Sequence, residues 1–192
     1  MGREFETKYS CTEESFAALQ RDFSGFSTIE METTYYDTFD GKFSSRQWTL
    51  RRRLENGTST CTLKPPADTH GRKEWEVECG NIMAAAPKLC QLGAPQELMI
   101  FSISGLRPLC GAKFTRLAAM LEIPGGKVEL ALDRGILTGG GRECPLLEVE
   151  VELKEGSEET MLAFSALLAD KYRLTPEKRS KFRRSLGLAL GE

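Results

Sequence analysis

The sequence predicts an α+β fold dominated by antiparallel sheet, on three observations. Many short segments alternate polar and apolar residues with the period of two that a strand requires. Two tight-turn dipeptides, Asn56-Gly57 and Gly125-Gly126, stand between neighbouring runs of this kind. Helical periodicities follow the first strand, fill one patch mid-chain and gather again at the end, rather than alternating with strands. With 192 residues and no internal repeat or linker, the chain suits a single domain over 1–192 with a sizeable core.

In chain order, residues 3–9 place Glu4, Glu6 and Lys8 on one parity and Phe5 and Thr7 on the other, which is a strand. Ser10 with Glu13 three residues on reads as a capping box. Phe16, Leu19 and Phe23 then give residues 12–23 an amphipathic helix, ended by Gly25. Residues 30–38 and 47–54, rich in β-branched and aromatic side chains, are strands. Asn56-Gly57 turns the second into a strand over 58–64, closed by Pro65-Pro66, and residues 73–79 alternate again. Residues 81–110, richer in Ala, Leu and Pro, predict short helices broken at Pro87 and Pro95. Strands over 113–123 and 127–132 make a hairpin at Gly125-Gly126, Gly139-Gly140-Gly141 is a loop, and 146–153 is the clearest strand. A helix covers 158–171, with Met161, Phe164 and Leu168 on one side. Thr175-Pro176 starts a last short helix, with a capping threonine and proline at its first position.

Composition removes several chemistries. Lys and Arg total 26 against 28 Asp and Glu, a net charge of −2, which argues against a nucleic-acid coat or a binder of anionic membranes. His70 is the one histidine and lies in a loop-like stretch, so poly-His metal centres and HExxH zinc sites are excluded. No phosphate-binding GxxxxGK[ST] loop or dinucleotide glycine turn is present. The six cysteines never form CxxC. With no secretory signal and no apolar run of about 18 residues, reduced thiols and a cytoplasmic location are expected.

Charge placement is the informative feature. Glu4, Glu6 and Lys8 share a face, as do Arg51 and Arg53, Thr62 and Lys64, and Arg72, Glu74, Glu76 and Glu78. Glu129 pairs in parity with Asp133, and Glu148 and Glu150 with Glu152. One reading makes these solvated outer faces. The other gathers them around a shared cavity, where carboxylates collect divalent cations and bases collect phosphate. A closed antiparallel barrel with a polar interior would supply that cavity.

Glu4-Phe5-Glu6-Thr7-Lys8 resembles the ExExK signature of the CYTH domain, or triphosphate tunnel metalloenzyme, superfamily. It is followed in order by Tyr36-Asp37-Thr38, Leu50-Arg51-Arg52-Arg53, Thr62-Leu63-Lys64, Arg72-Lys73-Glu74-Trp75-Glu76, Arg116, Glu129-Leu130-Ala131-Leu132-Asp133, Glu148-Val149-Glu150-Val151-Glu152 and Ser180-Lys181, each similar to a family motif. The resemblance implies an eight-stranded antiparallel β-barrel, a tunnel, with helices packed outside. It implies that Glu4, Glu6, Glu148 and Glu150, assisted by Asp133 and Glu129, hold Mg²⁺ or Mn²⁺. Lys8, Arg51, Arg53, Lys64, Arg116 and Lys181 would clamp a triphosphate, and Glu76 would face the same tunnel. Glu4, Glu6, Lys8 and Glu150 would carry the reaction, a metal-assisted hydrolysis of a phosphoanhydride. By parity Arg52 points away from the tunnel, and Glu78 and Glu152 lie towards its rim.

The implied partner is a small triphosphate, with inorganic tripolyphosphate first because every strong motif serves phosphate and metal. The chain is expected as a monomer or homodimer. A thiamine-triphosphate or nucleoside-triphosphate hydrolase would need a stacking patch, for which Tyr35, Trp48 and Trp75 are the candidates and for each of which core packing is the plainer reading. An adenylyl cyclase of the same fold and a non-catalytic polyphosphate-binding module complete the alternatives.

Overall fold

The structure, a computed structural model, describes residues 5–66 and 73–192. Glu4, His70 and Arg72 therefore lie outside the described residues. In chain order the elements are β1 (Glu6–Ser10), α1 (Glu13–Asp22), β2 (Ser27–Thr38), β3 (Thr49–Glu55), β4 (Thr58–Lys64), β5 (Trp75–Glu78), α2 (Ile82–Gln91), α3 (Glu97–Ile103), β6 (Leu106–Ile123), β7 (Gly126–Gly139), β8 (Arg142–Gly156), α4 (Glu158–Lys171), β9 (Thr175–Pro176) and α5 (Lys181–Leu190). The antiparallel α+β class holds. The hydrogen-bonded strand order among the described residues is β5-β4-β3-β2-β6-β7-β8-β1-β9, nine strands where eight were expected. The added strand is β9, which takes the edge of β1 at Tyr9 and Ser10.

Two compact units are each drawn from three stretches of sequence. The first comprises Met1–Glu30, Phe114–Ile136 and Pro145–Ser180. On one side of its strands Tyr9, Val128, Leu130, Leu132, Val149 and Val151 bury against Phe16 and Leu19 of α1 and Met161 and Leu168 of α4. Each such side chain, fully buried, contributes about 1.5–3 kcal/mol. The cap of α1 is Thr12, whose Oγ1 accepts the Ser15 N–H at 3.2 Å. Ser10 does not cap it, because β1 runs on through Ser10, whose hydroxyl donates to the Thr175 carbonyl. Thr175-Pro176 also departs from expectation, forming β9 rather than a helix start. Proline is tolerated there because an edge position asks for no ladder N–H. Ser157 caps α4, whose Glu158–Lys171 span is the one expected.

The second unit comprises Met31–Lys113, Leu137–Cys144 and Lys181–Glu192. Its β3–β4 hairpin turns at Asn56 and Gly57, with φ of 46° and 89°, the left-handed pair that a tight hairpin of this twist demands. Leu50, Cys61 and Leu63 face Ala85, Ala86, Leu89, Leu98 and Phe101 of the two covering helices. Pro87 does not break α2. Both Pro87 and Met83, whose carbonyl loses its partner to the proline, are exposed, so water can satisfy that carbonyl. Residues 106–110, expected to be helical, open β6 after Gly105, with φ of 92°, ends the turn that follows α3. β7 and β8 also extend past 127–132 and 146–153.

No helix among the described residues is long and apolar enough to cross a membrane. All six cysteines are free thiols. Burial pushes the Cys61 thiol up to about 11 and that of Cys110 up to about 12, while Cys144 is exposed. At pH 8 a disulfide-exchange reagent is expected to label Cys144 within minutes and to reach Cys61 and Cys110 only on denaturation. Rapid labelling of all six in the folded protein would overturn this burial.

Candidate functional site

In the first unit the pairing of β1 with β8 sets Ser10 opposite Glu148, Lys8 opposite Glu150 and Glu6 opposite Glu152. Opposed residues point to the same side of a sheet, so these side chains share one face while Tyr9, Val149 and Val151 enter the core behind it. Asp133 and Glu148 are 0% exposed and Glu150 9%. One carboxylate oxygen from each lies within 4.8 Å of the others. Three buried carboxylates this close are tolerable only beside positive charge. Arg116 supplies it. Its Nε donates to Asp133 Oδ1 at 2.7 Å, its Nη2 to Asp133 Oδ2 at 2.8 Å, and Nη2 also to Glu150. Burial works against the charged guanidinium, but the hydrogen bonds to Asp133 and the charges of Glu150 and Asp133 outweigh it, holding Arg116 above its ordinary range. Arg116, expected in the phosphate clamp, is thus engaged by the acids.

Lys8 Nζ meets Glu6 at 3.1 Å. Both line a cleft of about 360 Å³ with Glu177 and Lys178, and the Glu177 N–H donates to the Lys8 carbonyl. Glu129 is joined to Glu152 through Lys154, at 3.8 and 2.9 Å. Lys154 was not among the sequence candidates, although it continues the parity of Glu148, Glu150 and Glu152.

The second unit carries Arg51, Arg53, Lys64 and Lys181 of the basic set. β3 sets Arg51 between Tyr35 and Thr62, and Arg53 between Thr33 and Thr60. Arg51 and Lys64 converge on Glu74, at 3.6 and 2.6 Å, with side chains only 12% and 18% exposed. Glu74, like Lys154, was missed as a site residue, although the Glu74-Trp75-Glu76 spacing carried its signal. Glu76 accepts from the Thr62 hydroxyl at 3.0 Å. Arg52 points to the opposite face, as its parity requires, and donates to the Gly80 carbonyl. Lys181 is the first residue of α5. Asp37 accepts from the backbone N–H groups of Thr38, Phe43 and Ser44, so it holds the 39–44 turn rather than a ligand. Trp48 and Trp75 are partly buried and pack against the apolar core under α2 and α3, and Tyr35 lies against Phe182.

Asp133, Glu148 and Glu150 offer only carboxylate oxygen, the donor set that hard divalent cations such as Mg²⁺ and Mn²⁺ prefer.

The CYTH domain family model matches residues 2–186. An inorganic triphosphatase of Haemophilus influenzae is 28% identical over 173 residues, covering 85% of this chain and 49% of the relative. The chain thus spans about half the length of that relative. A Hippeastrum protein named as an adenylyl cyclase candidate with a dominant triphosphatase activity superposes with a TM-score of 0.71 at 18% identity, over 99% of this chain and 97% of that one. A Pyrococcus horikoshii protein gives 0.60 at 24% identity, over 97% and 98%. These likenesses establish a shared fold.

Proposed function

This chain belongs to the CYTH domain family, and we propose that it hydrolyses a triphosphate, inorganic tripolyphosphate, with a divalent cation as cofactor. The observation that carries the reading is the buried cluster of Asp133, Glu148 and Glu150 on the face that also bears Lys8. A pure anion binder gains nothing from three such acids, whose like charges repel one another.

In this reading Asp133, Glu148 and Glu150, helped by Glu6 on the same face of β1, hold Mg²⁺ or Mn²⁺. The bound ion would supply neutralisation and alignment of the phosphate oxygens. Lys8 Nζ, opposite Glu150, donates to an oxygen of the phosphoryl group being lost, and a Glu150 carboxylate oxygen holds the proton of the attacking water. Arg51 and Arg53 offer planar forks and Lys64 and Lys181 point charges of the kind phosphate oxygens take. Such catalysis is positioning and electrostatics, so it needs no histidine. The packing of Trp48 and Trp75, both partly buried against the core under α2 and α3, supports a substrate without an organic group, because it turns Trp75 to the Leu63 face of its strand and away from the parity of Arg51.

Phosphate release with Mg²⁺ or Mn²⁺, compared over tripolyphosphate, thiamine triphosphate, ATP and pyrophosphate, tests this. Tripolyphosphate is expected to be fastest, by at least tenfold in kcat/KM. Binding without turnover of any triphosphate would make the chain a binding module, and cyclic AMP formed from ATP with release of pyrophosphate would make it a cyclase.

A further inference from the structure

Resting on the triphosphatase reading, we propose that Phe182, braced against Tyr35, is a specificity-determining residue that closes the flank of Arg51 to an organic substituent. Tyr35 stands directly opposite Arg51 in the β2–β3 ladder and so shares its face. The Phe182 ring lies 4.7 Å from the Tyr35 ring, tilted by 47°, and leaves Tyr35 only 7% exposed. An aromatic face that could stack on a base or a thiazolium ring is therefore already covered by the chain itself. Phe182 follows Lys181, a residue expected to bind phosphate, directly in sequence on α5.

The position of α5 does not depend on this ring. The Ser185 hydroxyl, fully buried, donates to the Gly111 carbonyl at 2.8 Å. Gly139 lets the helix backbone approach so closely that a Cβ there would lie 2.2 Å from the Ser185 carbonyl oxygen. Arg142 Nη1 holds the Leu188 carbonyl at 3.0 Å. Three anchors towards the far end of α5 fix where its first turn lies, and Phe182 projects from that turn as a wedge.

The chemistry sets the direction of selection. A bare triphosphate presents only oxygens to Arg51, and the wedge costs it nothing. A ribose or a thiazolium ring placed beside Arg51 meets the Phe182 ring, a hydrocarbon face that offers its polar groups no partner, and unpaired polar groups are what a site rejects most strongly.

The test is the ratio of kcat/KM for ATP to that for tripolyphosphate, with Mg²⁺, in the wild type and in Phe182→Ala. Truncation uncovers Tyr35, and the ratio is expected to rise at least tenfold, mostly through a lower KM for ATP. Phe182→Leu, which keeps most of the volume, is expected to raise it less than threefold. Should Phe182→Ala fail to fold, Phe182→Val carries the same expectation of a raised ratio. An unchanged ratio in a folded truncation overturns the wedge, as does a wild type that already uses ATP as well as tripolyphosphate. A wild type inert towards every triphosphate instead overturns the triphosphatase reading on which the wedge rests.

Discussion

Glu148→Gln is expected to lower metal-dependent phosphate release by about 10²–10³-fold without unfolding the protein. A ligated cation contributes several kcal/mol of charge stabilisation where phosphate oxygens gain charge, and each 1.36 kcal/mol is a factor of ten in rate. Glutamine keeps the shape of Glu148, which is 0% exposed, and removes one negative charge from three acids within 4.8 Å. That repulsion opposes folding when no metal is present, so the variant should melt at or above the wild-type temperature in chelator. The stabilisation that Mg²⁺ or Mn²⁺ gives the wild type by binding only the native state should shrink or vanish. The two readouts together separate a lost ligand from a damaged fold. Equal turnover for variant and parent would remove Glu148 from the metal site.

Much of this site is legible in the strands because a period-two pattern fixes which side chains share a face before any pairing is known. The parity of Glu148, Glu150 and Glu152 survives unchanged, and so does the outward turn of Arg52. What the pattern does not contain is which charge meets which. The motif order assigns Arg116 to phosphate, yet its guanidinium forks onto Asp133, 17 residues away. Glu74 and Lys154 shared parity with site residues, but only cross-strand pairing shows that one joins Arg51 to Lys64 and the other Glu129 to Glu152. Local rules failed in the same way where a distant partner decided the outcome. Thr175-Pro176 has the chemistry of a helix start and becomes a strand because the edge of β1 is there to be paired. Pro87 has the chemistry of a helix break, and the burial of Ala85, Ala86 and Leu89 on the opposite face keeps α2 whole around it.

Arg116→Ala tests the other half of the electrostatic balance and should be the most destabilising single change at the site. Asp133 and Glu148 have no exposure to water, so the guanidinium that forks onto Asp133 and reaches Glu150 does what solvent cannot. Breaking a buried pair by removing one partner costs about 3–5 kcal/mol, because a charge is left in low dielectric without compensation. For a chain of this length each kcal/mol moves the melting temperature by about 2–4 °C, so a fall of roughly 6–20 °C in chelator is expected. Two further measurements distinguish this from simple loss of packing by the arginine stem. Millimolar Mg²⁺ should restore more stability to the variant than it adds to the wild type, since a cation can then take the place the guanidinium held beside the acids. Glu148→Gln added to Arg116→Ala should raise the melting temperature by more than Glu148→Gln does alone, because it relieves repulsion that the guanidinium no longer offsets. A packing defect would show neither response, since neither Mg²⁺ nor an isosteric loss of charge refills a cavity. If Arg116→Ala instead melts with the wild type and responds to Mg²⁺ as the wild type does, the acids are neutralised elsewhere, and Arg116 becomes available again for the phosphate clamp in which its motif first placed it.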